Sequence, residues 1–168
     1  MLGSMTLRGL LVIAALAIAL AGCGSASQSS PPAGVDELVV PTPSPDPADF
    51  VADVDNPWFP LAVGSTQRYV VADTTGTHAL VVSITTGPSV AGVPTTARTS
   101  RESGHRVVDW YAQDDDGNVW WFGRAGQWRA GTDGAEAGLA MPAKPRVGDG
   151  YRTAFAPGVV EDTARVVS

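Results

Sequence analysis

From residue 50 onward, β-branched and aromatic runs alternate with turn signals about every ten residues, and no stretch keeps a helical apolar repeat. This rhythm is the strongest constraint on the fold. A chain interrupted so often builds short extended runs, and runs joined by tight turns pair with their neighbours in sequence. The runs fall at 66–72, 79–86, 93–99, 106–113, 118–122, 127–129, 151–155 and 159–167. Turns are expected at 73–76, at Gly87-Pro88, at Glu102-Ser103-Gly104, at 114–117 and at Arg124-Ala125-Gly126. Pro94 weakens the third run. The expected fold is mostly β: a single antiparallel meander forming a curved sheet or partial barrel. One short helix is expected over 48–54, with Asp46 as its cap and Pro47 in its first turn. The last run reaches Ser168 with no turn or polar tail, so the sheet is expected to lack its last strands.

The chain before residue 50 is of another kind. Arg8 is the one charged residue ahead of an uninterrupted apolar run over 9–20, which is the build of a secretory signal. A helix of that length rises about 18 Å, well short of a hydrocarbon core of roughly 30 Å. The run closes in Leu20-Ala21-Gly22-Cys23, which resembles the lipobox of bacterial lipoproteins. That resemblance implies a signal peptide over 1–22, cleavage before Cys23, and acylation of the Cys23 thiol, whose thiolate is the nucleophile. The partner so implied is the cell membrane, gripped by lipid on the extracytoplasmic side, because two or more acyl chains hold firmly. Cys23 is the single cysteine, so neither a disulfide nor a cysteine metal site is expected. Residues 23–48 are rich in Ser, Pro, Ala and Gly, with proline at alternate positions over 41–47; they read as an extended tether. The β domain is expected over 49–168.

The formal charge is −6, and loss of Arg8 with the signal would take it to −7. An acidic domain of this kind gains nothing from phosphates, so no nucleic-acid partner is expected. No phosphate loop, Gly-x-Ser-x-Gly or His-Glu-x-x-His occurs, and no cofactor or catalytic residue is assigned. The acids at 114–116 do not have the spacing of a calcium loop, since Gly117 comes too early and Ala125 stands where the closing glutamate belongs. A solvated turn is expected there, and no metal. His78 and His105 lie in or beside turn-like stretches, outside any metal or triad spacing.

The aromatics carry the binding expectation. Alternation sets Trp110 and Tyr111 on opposite faces of one strand, and Trp121 opposite Trp120 and Phe122 on the next. A domain of this size is expected to build one core. One aromatic face is then core, and the other awaits a cover: a later strand, the segment 55–61, or a ligand. The segment 55–61, with two prolines around Trp58 and Phe59, reads as a plug at one end of the sheet or as a lip gripping a ligand. Candidate ligand-binding residues are therefore Trp58, Trp110, Tyr111, Trp120 and Trp121.

Several stretches together resemble an uncharacterised family of secreted bacterial proteins. They are Asp55-Asn56-Pro57-Trp58-Phe59-Pro60-Leu61, the segment 109–123 that begins Asp109-Trp110-Tyr111-Ala112-Gln113, Trp128-x-Ala130-Gly131-x-Asp133-Gly134-Ala135, Met141-Pro142-Ala143, Val147-Gly148-Asp149 and Pro157-Gly158-Val159-Val160-Glu161-Asp162. The resemblance runs from Phe50 to the end and brings no reaction with it. It implies further strands beyond Ser168. The leading expectation is a non-catalytic, membrane-anchored lipoprotein that holds an apolar or amphipathic small molecule on an aromatic-rich curved sheet. The alternatives are a structural or protein-interaction module of the cell envelope and a hydrolase with a dispersed site.

Overall fold

The computed structural model describes residues 46–168 apart from Thr75. The expected signal peptide, the lipidation site Cys23 and the tether as far as residue 45 lie outside the described residues. Ten strands follow one another: β1 (Phe50–Val51), β2 (Thr66–Asp73), β3 (Gly76–Val90), β4 (Val93–Glu102), β5 (His105–Asp114), β6 (Val119–Arg124), β7 (Trp128–Arg129), β8 (Glu136–Met141), β9 (Gly150–Ala156) and β10 (Val160–Arg165). They form one antiparallel sheet in the order β10-β9-β8-β6-β5-β4-β3-β2, with β1 added beside β5 and β7 beside β6. The sheet is open rather than closed into a barrel. Among the described residues, no helix is long and apolar enough to cross a membrane.

The expected helix over 48–54 is a single 3₁₀ turn, Pro47–Asp49. Asp46 caps it, accepting the Ala48 amide at 2.9 Å, and Pro47 stands in the first turn. It stops there because Phe50 and Val51 pair with Asp114 and Gln113 of β5, and sheet hydrogen bonds outweigh further helical turns. Nor does Gly87-Pro88 end its strand. The chain reverses at Ala91-Gly92, both in the left-handed region at φ 49° and 85°, the geometry of a tight two-residue hairpin. Gly87-Pro88 becomes an irregularity within β3 instead, between Thr86 and Ser89. The Thr95 hydroxyl fills it by donating to the Pro88 carbonyl at 2.6 Å.

β8 carries no β-branched residue and gave no strand signal. Its small residues let it turn a corner. Ala137 pairs with β9 whereas Gly138 and Leu139 pair with β6. A Cβ on Gly138 would lie 2.3 Å from the Thr153 carbonyl, so β9 can come this close only over a glycine.

The expectation of one core needs correction. Two apolar clusters form, one on each face of β5–β6. Trp120, Phe122 and Ala112 join Trp128, Leu139 and Tyr151 on one side. Tyr111 and Val119 join Val54, Leu61, Val82 and Ile84 on the other. Protein covers both faces at the centre of the sheet. The far end is bare: on the edge strand β2, Val70 is 78% exposed, and every β2 residue but Val71 is exposed.

Candidate ligand-binding cleft

The sealed side shows what the segment 55–61 does. Phe59 packs on Tyr111 with ring centres 5.1 Å apart, and Val54 and Leu61 are buried. Polar side chains staple the segment down. The Gln113 side-chain oxygen accepts the amides of Asp55 (3.0 Å) and Asn56 (2.8 Å), while its nitrogen donates to Asp55 Oδ1 at 2.7 Å. Asn56, 2% exposed, donates to the carbonyls of Gly117 and Pro142 and accepts the amides of Trp58 and Phe59. The segment is the plug. The large side chain of Trp58 points away, 63% exposed.

The acidic turn is likewise structural. Asp114 accepts the Asn118 amide at 2.8 Å and the Trp120 indole at 2.8 Å, and Asn118 in turn accepts the Ala143 amide at 2.9 Å. Asp115 and Asp116 are exposed.

The other side is built differently. β7 folds back along β6, Gly123 pairing with Arg129 and Arg124 with Trp128. Gly123 makes this possible: its φ is 148°, and a Cβ there would sit 2.6 Å from the Trp128 carbonyl oxygen and 3.2 Å from the Trp110 ring. Any larger residue would push Trp110 or β7 away. Beside this contact lies a cleft of about 310 Å³ lined by Trp110, Trp128, Arg124, Arg129, Asp133 and Val159, among others. That is close to the lower end, about 300 Å³, of small-molecule sites. Trp128, Ala135 and Ala156 give it an apolar floor drawn from the core.

Two arginines stand at the cleft in different states. Arg124 is committed to Asp109, with its Nε 2.7 Å from Oδ1 and Nη2 3.3 Å from Oδ2. This hydrogen bond strengthens its hold on its proton. Its guanidinium also lies 5.0 Å over Trp121. Arg129 lies 5.7 Å over the Trp110 ring and donates to the Ser89 carbonyl. No described carboxylate forms an ion pair with it.

The tryptophans divide in the same way. The Trp120 indole donates to Asp114 and the Trp121 indole to the Gly123 carbonyl, both at 2.8 Å. Among the described residues, the indoles of Trp110 and Trp128 have no hydrogen-bond acceptor, and neither is shut off from solvent. The two indoles that line the cleft thus have a donor to spare, as does that of Trp58 on the surface.

The five sequence candidates thus part company. Tyr111 and Trp120 are core, 8% and 2% exposed. Burial pushes the Tyr111 hydroxyl far above its ordinary pKa, and Asp109 adds to the rise. Trp121 is half-buried between the clusters, 6.4 Å from Tyr111 and 5.1 Å from Trp128 between ring centres. Trp58 stands on the surface, and Trp110 alone of the five reaches the cleft. Trp128, Asp133 and Val159 fall in stretches that carry the family resemblance, but nothing in the sequence marks them, or Arg129, as ligand-binding residues. The one available signal was the Trp128-Arg129 pair directly after a glycine turn. His78 on β3 meets Glu102 of β4 at 2.7 Å and Asp73 of β2 at 4.0 Å, and neither it nor His105 lines the cleft. No protein-family model, no curated protein and no solved structure matches this chain.

Proposed function

We propose that this protein is an exported lipoprotein, fixed to the cell membrane through Cys23, that binds an amphipathic small molecule rather than transforming one. The observation that carries the binding reading is the cleft between β7 and the loop before β10. Its floor is apolar, its rim holds Arg129 and Asp133, and two indole donors beside it are without partners. Both indoles reach solvent, so a ligand that supplies an acceptor exchanges water for a direct hydrogen bond, a net gain of about 0.5–1.5 kcal/mol for each bond. The anchoring reading rests on the sequence Leu20-Ala21-Gly22-Cys23 closing an apolar run.

Binding is tested with anilinonaphthalene sulfonate on the folded mature protein. A saturable rise in its fluorescence is expected. Val159→Trp should abolish it without moving the urea midpoint, because Val159 is 57% exposed at the cleft. A rise that survives in the variant contradicts the reading. Anchoring is tested by fractionating cells that express the precursor. Cys23→Ala should leave the membrane fraction, and a processed variant that stays there contradicts a lipid anchor.

A second reading, a structural or interaction module of the envelope, draws on the covering of both central faces by protein. It predicts no saturable ligand at the cleft.

A further inference from the structure

We propose that the cleft takes a zwitterion with an apolar side group, of the α-amino-acid type, with its carboxylate on Arg129 and its ammonium on Asp133. This rests on the cleft being a ligand site. Three charged side chains line it: Arg124, Arg129 and Asp133. Arg124 is already neutralised by buried Asp109 and feels Asp162 as well. Arg129 and Asp133 remain. They line the same cleft, yet they form no ion pair with each other or with any other described residue.

The arrangement around Arg129 orients a cation without cancelling it. The Trp110 ring supports the guanidinium and the Ser89 carbonyl accepts from it, and neither carries a formal charge. A guanidinium fixed in this way loses less freedom on meeting a carboxylate, and the bond it makes is charge-assisted. Asp133 sits in the left-handed region at φ 51°, a conformation that aspartate tolerates better than most residues. A simple anion would gain Arg129 but face Asp133. A simple cation would gain Asp133 but face Arg129. A molecule carrying both charges satisfies both. The apolar floor of Trp128, Ala135 and Ala156 accounts for a side group.

A sugar fits less well. Stacking a pyranose needs an open ring face, whereas Arg129 covers Trp110 and Trp128 is only 7% exposed, edge-on to Trp121.

The test is calorimetric titration of the mature chain with L-phenylalanine, phenylpropionate, which lacks the ammonium, phenethylamine, which lacks the carboxylate, and cellobiose. L-phenylalanine should bind about tenfold or more tighter than either half-molecule, since one charge-assisted hydrogen bond is worth about 1.5 kcal/mol or more. Arg129→Gln should erase its advantage over phenethylamine, and Asp133→Asn its advantage over phenylpropionate. Both residues are exposed, so the urea midpoint of each variant should stay at that of the parent. Equal binding of the three compounds, binding of cellobiose alone, or no binding of any of the four overturns the proposal. Saturable anilinonaphthalene sulfonate binding that persists under those results would leave the cleft a ligand site and remove only the zwitterion.

Discussion

The two sides of the β5–β6 pair use the same residue types for opposite ends. On one side, Tyr111 and Val119 lie under the segment 55–61, whose polar groups are spoken for by Gln113, Asn56 and backbone carbonyls. On the other, Trp120 and Phe122 lie under β7–β9, and the covering layer leaves a cleft, a guanidinium without a carboxylate, and two indoles without acceptors. The lesson is that aromatic content does not distinguish a core from a binding site. The distinction lies in whether the polar atoms at the aromatic edges already have partners.

The sharpest break in this comparison comes from truncating the core aromatic. Trp120→Ala should lower urea-unfolding stability by about 3–5 kcal/mol, the usual cost of emptying a large core position. It also strips Asp114 of the indole donor. Half-buried Trp121→Ala should cost at least about 2 kcal/mol less on that scale. Equal large losses would mean that Trp121 is as sealed as Trp120.

Next in size is the staple. Asn56→Ala leaves the Gly117 and Pro142 carbonyls without its amide and the Trp58 amide without its oxygen, and should cost about 2–3 kcal/mol in the same measurement. Anilinonaphthalene sulfonate binding in native conditions should persist, because the plug is on the opposite side from the cleft. Loss of binding at full folding would show the two sides to be coupled.

A third effect appears only in alkali. Burial raises the folded-state pKa of the Tyr111 hydroxyl, with Asp109 contributing, and burial raises that of Tyr151. A raised folded value gives stability that is complete below the unfolded value of about 10 and lost as pH climbs above it. Unfolding midpoints should therefore fall above about pH 10, and Tyr111→Phe should flatten that fall. An unchanged alkaline slope in the variant would place the cause elsewhere.

The smallest effect is at Trp58. With 63% of its surface exposed, Trp58→Ala should change stability by less than about 0.5 kcal/mol. A larger loss would return Trp58 to the core.

The meander was legible in the sequence wherever turn chemistry and β-branched runs agreed, as at Ser103-Gly104 between β4 and β5 and at Asp114–Gly117 between β5 and β6. Alternation also set Trp120 apart from Trp121 correctly, because both fall on a strand whose two faces pack separate clusters. β8 was invisible because its Ala and Gly residues are chosen for close approach, and strand propensity does not register that. The cleft was invisible for a related reason. It depends on Gly123 admitting β7 against Trp110 and on which indoles end up with acceptors, and both are properties of the assembled sheet.

The central claim is that the open side binds ligand and the sealed side does not. The five tryptophan indoles give five reporters in a nitrogen–proton correlation spectrum, and titration with anilinonaphthalene sulfonate reads them together. The signals of Trp110 and Trp128 should move with one saturation curve, while those of Trp120 and Trp121, already bonded to Asp114 and Gly123, stay close to their starting positions. Movement confined to Trp58, or no movement at Trp110 and Trp128 at saturating probe, would contradict the account.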